Sequence, residues 1–143
     1  MLTNTNYYDV LVVGGGVGGA AAAVTAARKG ARTLLVDSAQ SLGGLATNGY
    51  VTGIAGVVEG ISKEWLKRLE ADGDAIDRPH LPVIDPDKGK LMLERMLVEA
   101  GGRILYGVTA IDAVVEDNTI KGVVCHSKAG RFTISAGIVI DGT

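Results

Sequence analysis

The 143-residue chain holds one cysteine, two histidines and three prolines, and it carries no large excess of charge of either sign. Each shortage removes a class of function. Cys125 stands alone, so no internal disulfide can form and no Cys-x-x-Cys pair exists to shuttle electrons. A lone cysteine behaves mainly as a small apolar side chain, and Cys125 is expected to point into a sheet. With His80 and His126 as the only imidazoles, soft ligands for zinc or iron are too few, and no metal site is expected. A formal net charge of −2 leaves no basic footprint for nucleic acid. Long apolar runs are missing as well. Val10 to Val13 is cut off by glycines well short of a bilayer span, and no charged-then-apolar leader precedes it. The expectation is one domain over residues 1–143, cytoplasmic, with neither a membrane nor a nucleic acid as partner.

Glycine, by contrast, is abundant at 21 residues, and no low-complexity repeat accounts for it. Tyr8-Asp-Val-Leu-Val-Val-Gly-Gly-Gly-Val-Gly-Gly19 reads as a short apolar strand entering a glycine turn, with a small-residue helix through Ala20–Ala23, Val24, Ala26 and Ala27 behind it. Val10 to Val13 is apolar on both faces, as a central parallel strand between two layers must be. Gly14, Gly16 and Gly19 give the G-x-G-x-x-G spacing. The first glycine allows the tight turn, the second lets backbone approach a pyrophosphate, and the third lets the helix lie close to the sheet. Nothing from Gly14 to Gly19 is cationic, so a phosphate there must be held by several amides and the helix N-terminus together.

The second strand, Thr33 to Val36, leads to Asp37, about twenty residues on, where an acid accepts hydrogen bonds from ribose hydroxyls. A carboxylate at that place repels a 2′-phosphate. An unphosphorylated adenosine ribose, as in FAD or NAD, is therefore expected over NADP. A P-loop is excluded because no Gly-Lys-Ser/Thr follows. The turn alone leaves a methyltransferase open, since Gly14-Gly15-Gly16-Val17-Gly18 also fits G-x-G-x-G.

Ser38 to Gly49 has small residues and no helical stripe, which predicts a loop against which something large can lie. Ser62 is read as the N-cap of a helix carrying Trp65, Leu66 and Leu69 on a core-facing side and ended by Asp72-Gly-Asp. Pro79, Pro82 and Pro86 mark an irregular connection with His80 exposed and chemically idle. From Asp87 or a neighbour a second helix is expected, with Leu91, Leu93, Met96, Leu97 and Val98 lining its buried side, stopping at Gly101-Gly102. Arg103 to Tyr106 is a strand. Ala110–Val115, Ile120–Cys125 and Arg131–Ser135 form an antiparallel meander, and Gly137 to Thr143 is a further buried strand.

This order, with Leu42-Gly-Gly-Leu-Ala-Thr47 and Ile140-Asp-Gly-Thr143, resembles the FAD-dependent oxidoreductases of the glutathione-reductase-like superfamily, near the fumarate reductase and succinate dehydrogenase flavoproteins. The resemblance covers essentially the whole chain and argues against a methyltransferase, whose fold has no such meander. It implies an α/β, Rossmann-like three-layer fold with a parallel sheet and an antiparallel three-stranded meander. FAD would lie with its pyrophosphate on Gly14, Gly15, Gly16, Val17, Gly18 and Gly19, and its adenosine ribose at Asp37 and Ser38. Gly43, Gly44, Ala46 and Thr47 would line the way to the ribityl chain and flavin. Backbone of Val108, Thr109 or Ala110 would meet the adenine, Ala110 being favoured by the Ile-Asp pair that follows it.

The sequence departs from the family in where it stops. Members continue with a glycine-aspartate pair at the flavin, a substrate domain and a returning segment, whereas this sequence ends at Thr143, one residue short of the pair. The family's catalytic acids and bases lie in that later part, so no catalytic residue is assigned here. Residues 43–56 contain no histidine, and FAD is expected to be held non-covalently. The leading expectation is thus the N-terminal FAD-binding portion of a flavin oxidoreductase that acts, when complete, on a small redox substrate. The alternatives are a non-catalytic dinucleotide-binding fragment that self-associates or needs a complementary chain, and an NAD-dependent dehydrogenase domain. A tRNA-modifying flavoprotein is disfavoured by the missing Cys-Asn-Pro segment and basic surface.

Overall fold

The computed structural model describes residues 7–56, 58–76, 78 and 81–143. His80 and Pro79, read above as part of an irregular connection, lie outside the described residues. The elements run β1 (Tyr7–Val13), α1 (Val17–Arg28), β2 (Thr33–Asp37), a 3-10 turn (Gly44–Ala46), α2 (Gly60–Asp72), β3 (Ala75–Ile76), β4 (Val83–Ile84), α3 (Pro86–Glu99), β5 (Arg103–Tyr106), β6 (Thr109–Glu116), β7 (Thr119–Ser127) and β8 (Gly130–Asp141). Six of the strands form one sheet in the order β5-β2-β1-β8-β7-β6. The pairs β5–β2, β2–β1 and β1–β8 are parallel, and β8–β7 and β7–β6 are antiparallel.

The apolar character of β1 and β2 on both faces follows from their place between two cores. On one face Val10, Val12 and Leu35 meet the three helices through Ala20, Ala23, Val24, Trp65, Leu69, Leu93, Met96 and Leu97. On the other, Leu11, Val13, Leu34 and Val36 meet Val123, Cys125 and Ile134 of the meander. This is the expected three-layer α/β arrangement. Trp65 is fully buried, its indole N–H donating to the Gly89 carbonyl at 3.1 Å, so it anchors α2 to α3 as a core residue. Cys125 is buried in β7, as expected of a lone cysteine acting as a small apolar side chain.

Three local readings are corrected. Helix α2 starts at Gly60, with Glu59 at the N-cap and no side-chain cap, so Ser62 lies inside its first turn. Gly60 has φ +59, a conformation that lets glycine turn the chain into the helix without a capping hydroxyl. In α3 the buried stripe is Gly89, Met92, Leu93, Met96 and Leu97. Leu91 and Val98 are each 59% exposed, because one step of the helix rotates them off the face that Trp65 and Ile104 occupy. Its start matches expectation: Asp85 accepts from the amides of Asp87 and Lys88, and Pro86 occupies the first turn.

The third correction concerns the end of the chain. The last meander strand and the following strand are one continuous element, β8. Residues 130–135 pair antiparallel with β7, while residues 135–141 pair parallel with β1. Ser135-Ala136-Gly137 looks like a turn in sequence, but small residues also permit a strand to twist from one partner to another. Nor is its second half buried throughout, since Ile138 is 59% exposed.

Candidate functional site

Beyond the C-terminal ends of β1 and β2 the backbone opens into a cleft of about 320 Å³ lined by Val13, Gly14, Gly15, Gly16, Val36, Asp37, Ser38, Gly44, Val108, Thr109, Ala110, Gly142 and Thr143. Parallel α/β sheets place ligand crevices at such strand ends. Gly14 turns the chain with φ +96, and a Cβ there would lie 2.6 Å from the Gly142 carbonyl oxygen. At Gly19 a Cβ would overlap the Gly14 carbonyl oxygen, so α1 can lie against the turn only if this residue is glycine. Gly16 differs from both. Nothing stands within 4 Å of the place its Cβ would take, so its bare backbone faces open space.

Gly16 is the N-cap of α1, makes no side-chain cap, and no acidic residue occupies the first turn. The first amides of a helix have no partner within it, and an uncapped end of this kind can receive an anion. A diphosphate fits this end of the helix: it is uncapped, carries no side-chain charge, and opens onto the cleft.

Asp37 closes the cleft from β2. One carboxylate oxygen accepts the Gly15 amide, and the other accepts the Ala39 amide at 2.7 Å. The carboxylate thereby ties the glycine turn to the loop after β2. Each oxygen keeps a further lone pair, so ribose hydroxyls can still be accepted. Gly15, nominally a variable position in the fingerprint, is also constrained: a Cβ there would lie 2.7 Å from both Asp37 Oδ2 and Leu42 Cδ2.

The Leu42–Thr47 loop is built against this turn. The Gly43 amide donates to the Gly15 carbonyl at 2.8 Å; Gly43 has φ +101, and a Cβ there would overlap the Thr47 side chain. Thr47 is fully buried and donates its hydroxyl to the Leu42 carbonyl at 2.6 Å. Gly44 approaches Gly16 so closely that a Cβ would lie 3.0 Å from the Gly16 Cα. On the opposite wall the Val108 amide donates to the Asp37 carbonyl at 3.0 Å, and its side chain is buried. With Val108 so engaged, Thr109 and Ala110 are the residues of that wall whose exposed surface faces the cleft.

Of the residues singled out from sequence, Gly14, Gly15, Gly16, Asp37, Ser38, Gly44 and Ala110 come together around the cleft. Val17, Gly18 and Gly19 form the first turn of α1 beside it. Gly43, Ala46 and Thr47 are buried behind the wall and shape it. Sequence reasoning missed Gly142 and Thr143, which close the far side, the Gly142 amide bonding the Val13 carbonyl at 2.7 Å. The signal was present in Ile140-Asp-Gly-Thr143, where a glycine after an apolar strand marks close backbone approach. Among the described residues, no cluster of three or more His, Cys, Asp or Glu side chains could hold a metal ion. No described helix is long and apolar enough to cross a membrane.

The sequence and fold are shared with known proteins. The thiamine thiazole synthase of Methanococcus vannielii is 35% identical over 144 residues, which cover 94% of this chain and 55% of that protein. The digeranylgeranylglycerophospholipid reductase of Methanosarcina acetivorans is 28% identical, over 93% of this chain and 37% of its own. Among solved structures, THI4 of Thermovibrio ammonificans has a TM-score of 0.70 at 27% identity, covering 96% of this chain and 57% of that one. A geranylgeranyl bacteriochlorophyll reductase-like protein of Thermoplasma acidophilum shares the fold with a TM-score of 0.74 at 24% identity. The chain spans about half the length of the thiazole synthases it matches. The family model described as FAD dependent oxidoreductase matches residues 9–143. With that match over nearly its whole length, the chain belongs to the FAD-dependent oxidoreductases, and FAD is its cofactor.

Proposed function

We propose that residues 1–143 form the N-terminal FAD-binding domain of a flavin oxidoreductase and hold FAD without a covalent bond. The observation that carries this reading is the open backbone of Gly16 at the uncapped N-terminus of α1, facing a cleft that Asp37 closes. In it the amides of the first turn of α1 take the diphosphate, Asp37 takes the adenosine ribose, and backbone of Thr109 and Ala110 borders the adenine. Gly44, Gly142 and Thr143 face the flavin-side half of the coenzyme. Val17, Gly18 and Gly19 supply the helix turn, while Gly43, Ala46 and Thr47 fix the loop that brings Gly44 to Gly16. Bound FAD supplies the electron or hydride chemistry, and the protein sets its position and surroundings.

The test is a titration of this chain with FAD, followed by calorimetry and by the visible flavin spectrum. Saturable heat and a perturbed flavin band are expected, and neither should appear in a Gly16→Val variant that keeps the wild-type circular dichroism. Equal binding by that variant would remove the glycine turn from the site. Denaturation of the complex with acid should release all the flavin into solution, and flavin remaining on the chain would overturn non-covalent binding.

A further inference from the structure

We propose that the side chains of Ser41 and Asn48 form a clamp that holds Gly44 against Gly16 and thereby positions the half of FAD beyond its adenosine, a role that rests on FAD occupying the cleft. The Ser41 hydroxyl donates to Asn48 Oδ1 at 2.6 Å, and Asn48 Nδ2 donates back to the Ser41 carbonyl at 3.3 Å. Two bonds between one pair of residues fix their orientation as well as their separation.

Between the two residues runs the segment that reaches the cleft. Gly43 and Gly44 take successive positive φ values, +101 and +52, outside the ordinary helix and strand regions, so this stretch depends on bonds from its flanks. Two rungs supply them. The inner rung is the buried bond from the Thr47 hydroxyl to the Leu42 carbonyl. The outer rung is the Ser41 and Asn48 pair, one residue further out on each side.

One end of the outer rung is fixed. Ala39, two residues before Ser41, donates its amide to Asp37 at 2.7 Å and accepts the Gly107 amide on its carbonyl at 3.2 Å. Ser41 thus hangs from the wall that Asp37 builds, and Asn48 is tied to Ser41. The other end leads to Gly44, whose carbonyl accepts the amides of Thr47 at 3.2 Å and Gly49 at 3.1 Å. These are the sequence neighbours of Asn48, so a movement of residue 48 passes to Gly44 through both.

Asn48 is exposed and Ser41 partly so, and a hydrogen bond in contact with water adds little to global stability. What the pair controls is a distance. Gly44 lines the cleft and stands so near Gly16 that a Cβ would lie 3.0 Å from the Gly16 Cα. A loop held in its bound shape binds more tightly than one the ligand must order. The adenosine end, at Asp37, Thr109 and Ala110, does not draw on this loop tip.

Ser41→Ala, Asn48→Ala and the double variant are compared with the parent chain by calorimetric titration with FAD and with AMP, and by amide hydrogen exchange without ligand. Each single substitution should weaken FAD binding about three- to tenfold. The double variant should lose no more than the worse single one, because both act through one bond pair. AMP, which ends at its first phosphate, should bind the variants as it binds the parent. In the free chain, exchange at the Thr47 and Gly49 amides should quicken about threefold or more in every variant. Unchanged FAD affinity or unchanged exchange in the single variants overturns the clamp. So does an additive loss in the double variant, or an equal loss of AMP, which marks general damage to the fold. A parent chain that binds no FAD overturns the FAD-binding reading instead, and the positioning role falls with it.

Discussion

The turn between β1 and α1 and the first turn of that helix hold five glycines whose constraints differ, and the difference is testable one residue at a time. Gly14→Ala meets both a positive φ and the Gly142 backbone, so it should cost at least about 1–3 kcal/mol in chemical denaturation. Gly18 lies in α1 with nothing within 4 Å of a new Cβ. Gly18→Ala should therefore stabilise the FAD-free chain by roughly 0.4–1 kcal/mol. Equal loss of stability from both substitutions would show that the turn is not packed as described. At Asp37 the structure adds a role that residue spacing did not reveal. Its carboxylate bonds the Gly15 and Ala39 amides, and Asp37→Ala should lower FAD affinity by roughly 1–3 kcal/mol while also lowering the melting temperature of the FAD-free chain. Calorimetry and thermal unfolding measure the two effects separately. The spacing of Asp37 from the turn was legible because the fingerprint fixes it. The amide contacts were not, since they depend on how the loop after β2 folds back. Gly15 teaches the same point: its lack of a side chain is required by Leu42, a contact no local pattern encodes.

Among elements, helices were legible in their stripes and less so in their ends. Trp65, Leu66 and Leu69 declare the buried face of α2, but its start needs no capping hydroxyl because Gly60 bends the chain into it. In α3, Leu91 and Val98 satisfy a hydrophobic count without facing the core, which shows that apolar type is weaker evidence than angular position. The consequence for Trp65 is direct: Trp65→Ala should cost about 3–5 kcal/mol, read from urea unfolding, because it empties the contact between α2 and α3. The helices are also joined on their outer side. Glu64 of α2 binds Arg28 of α1 and Arg68 of its own helix, and Arg68 reaches Glu99 of α3. The Arg28 guanidinium above all, with Arg68, holds the Glu64 carboxyl down at about 2 against an ordinary 4.5. A depressed carboxylate stabilises the fold above the unfolded value. That contribution should be intact above pH 4.5 and fade as pH falls toward about 2. Glu64→Gln should flatten the dependence of urea stability on pH in that window, and an unchanged profile would mean that solvent already screens the network.

For the molecule as a whole, the layer order was readable because a two-sided apolar strand, a glycine turn and a meander each demand a particular neighbour. Strand continuity was not readable. Ser135-Ala136-Gly137 carries small residues that serve equally as a turn or as the bend in a strand, and only pairing with β1 on one side and β7 on the other decides between them. That single strand joins the meander to the parallel layer. It also sets an order of events. Val13 pairs with Asp141, so the centre of the sheet is completed by residues from opposite ends of the sequence. Contacts between such distant residues slow folding, since a long loop must close before they form. On a ribosome, β1 has no neighbour across that side until residues 136–141 have left the exit tunnel. Nascent chains stalled before that point should be digested readily by protease, and resistance should rise sharply once residues 136–141 have emerged.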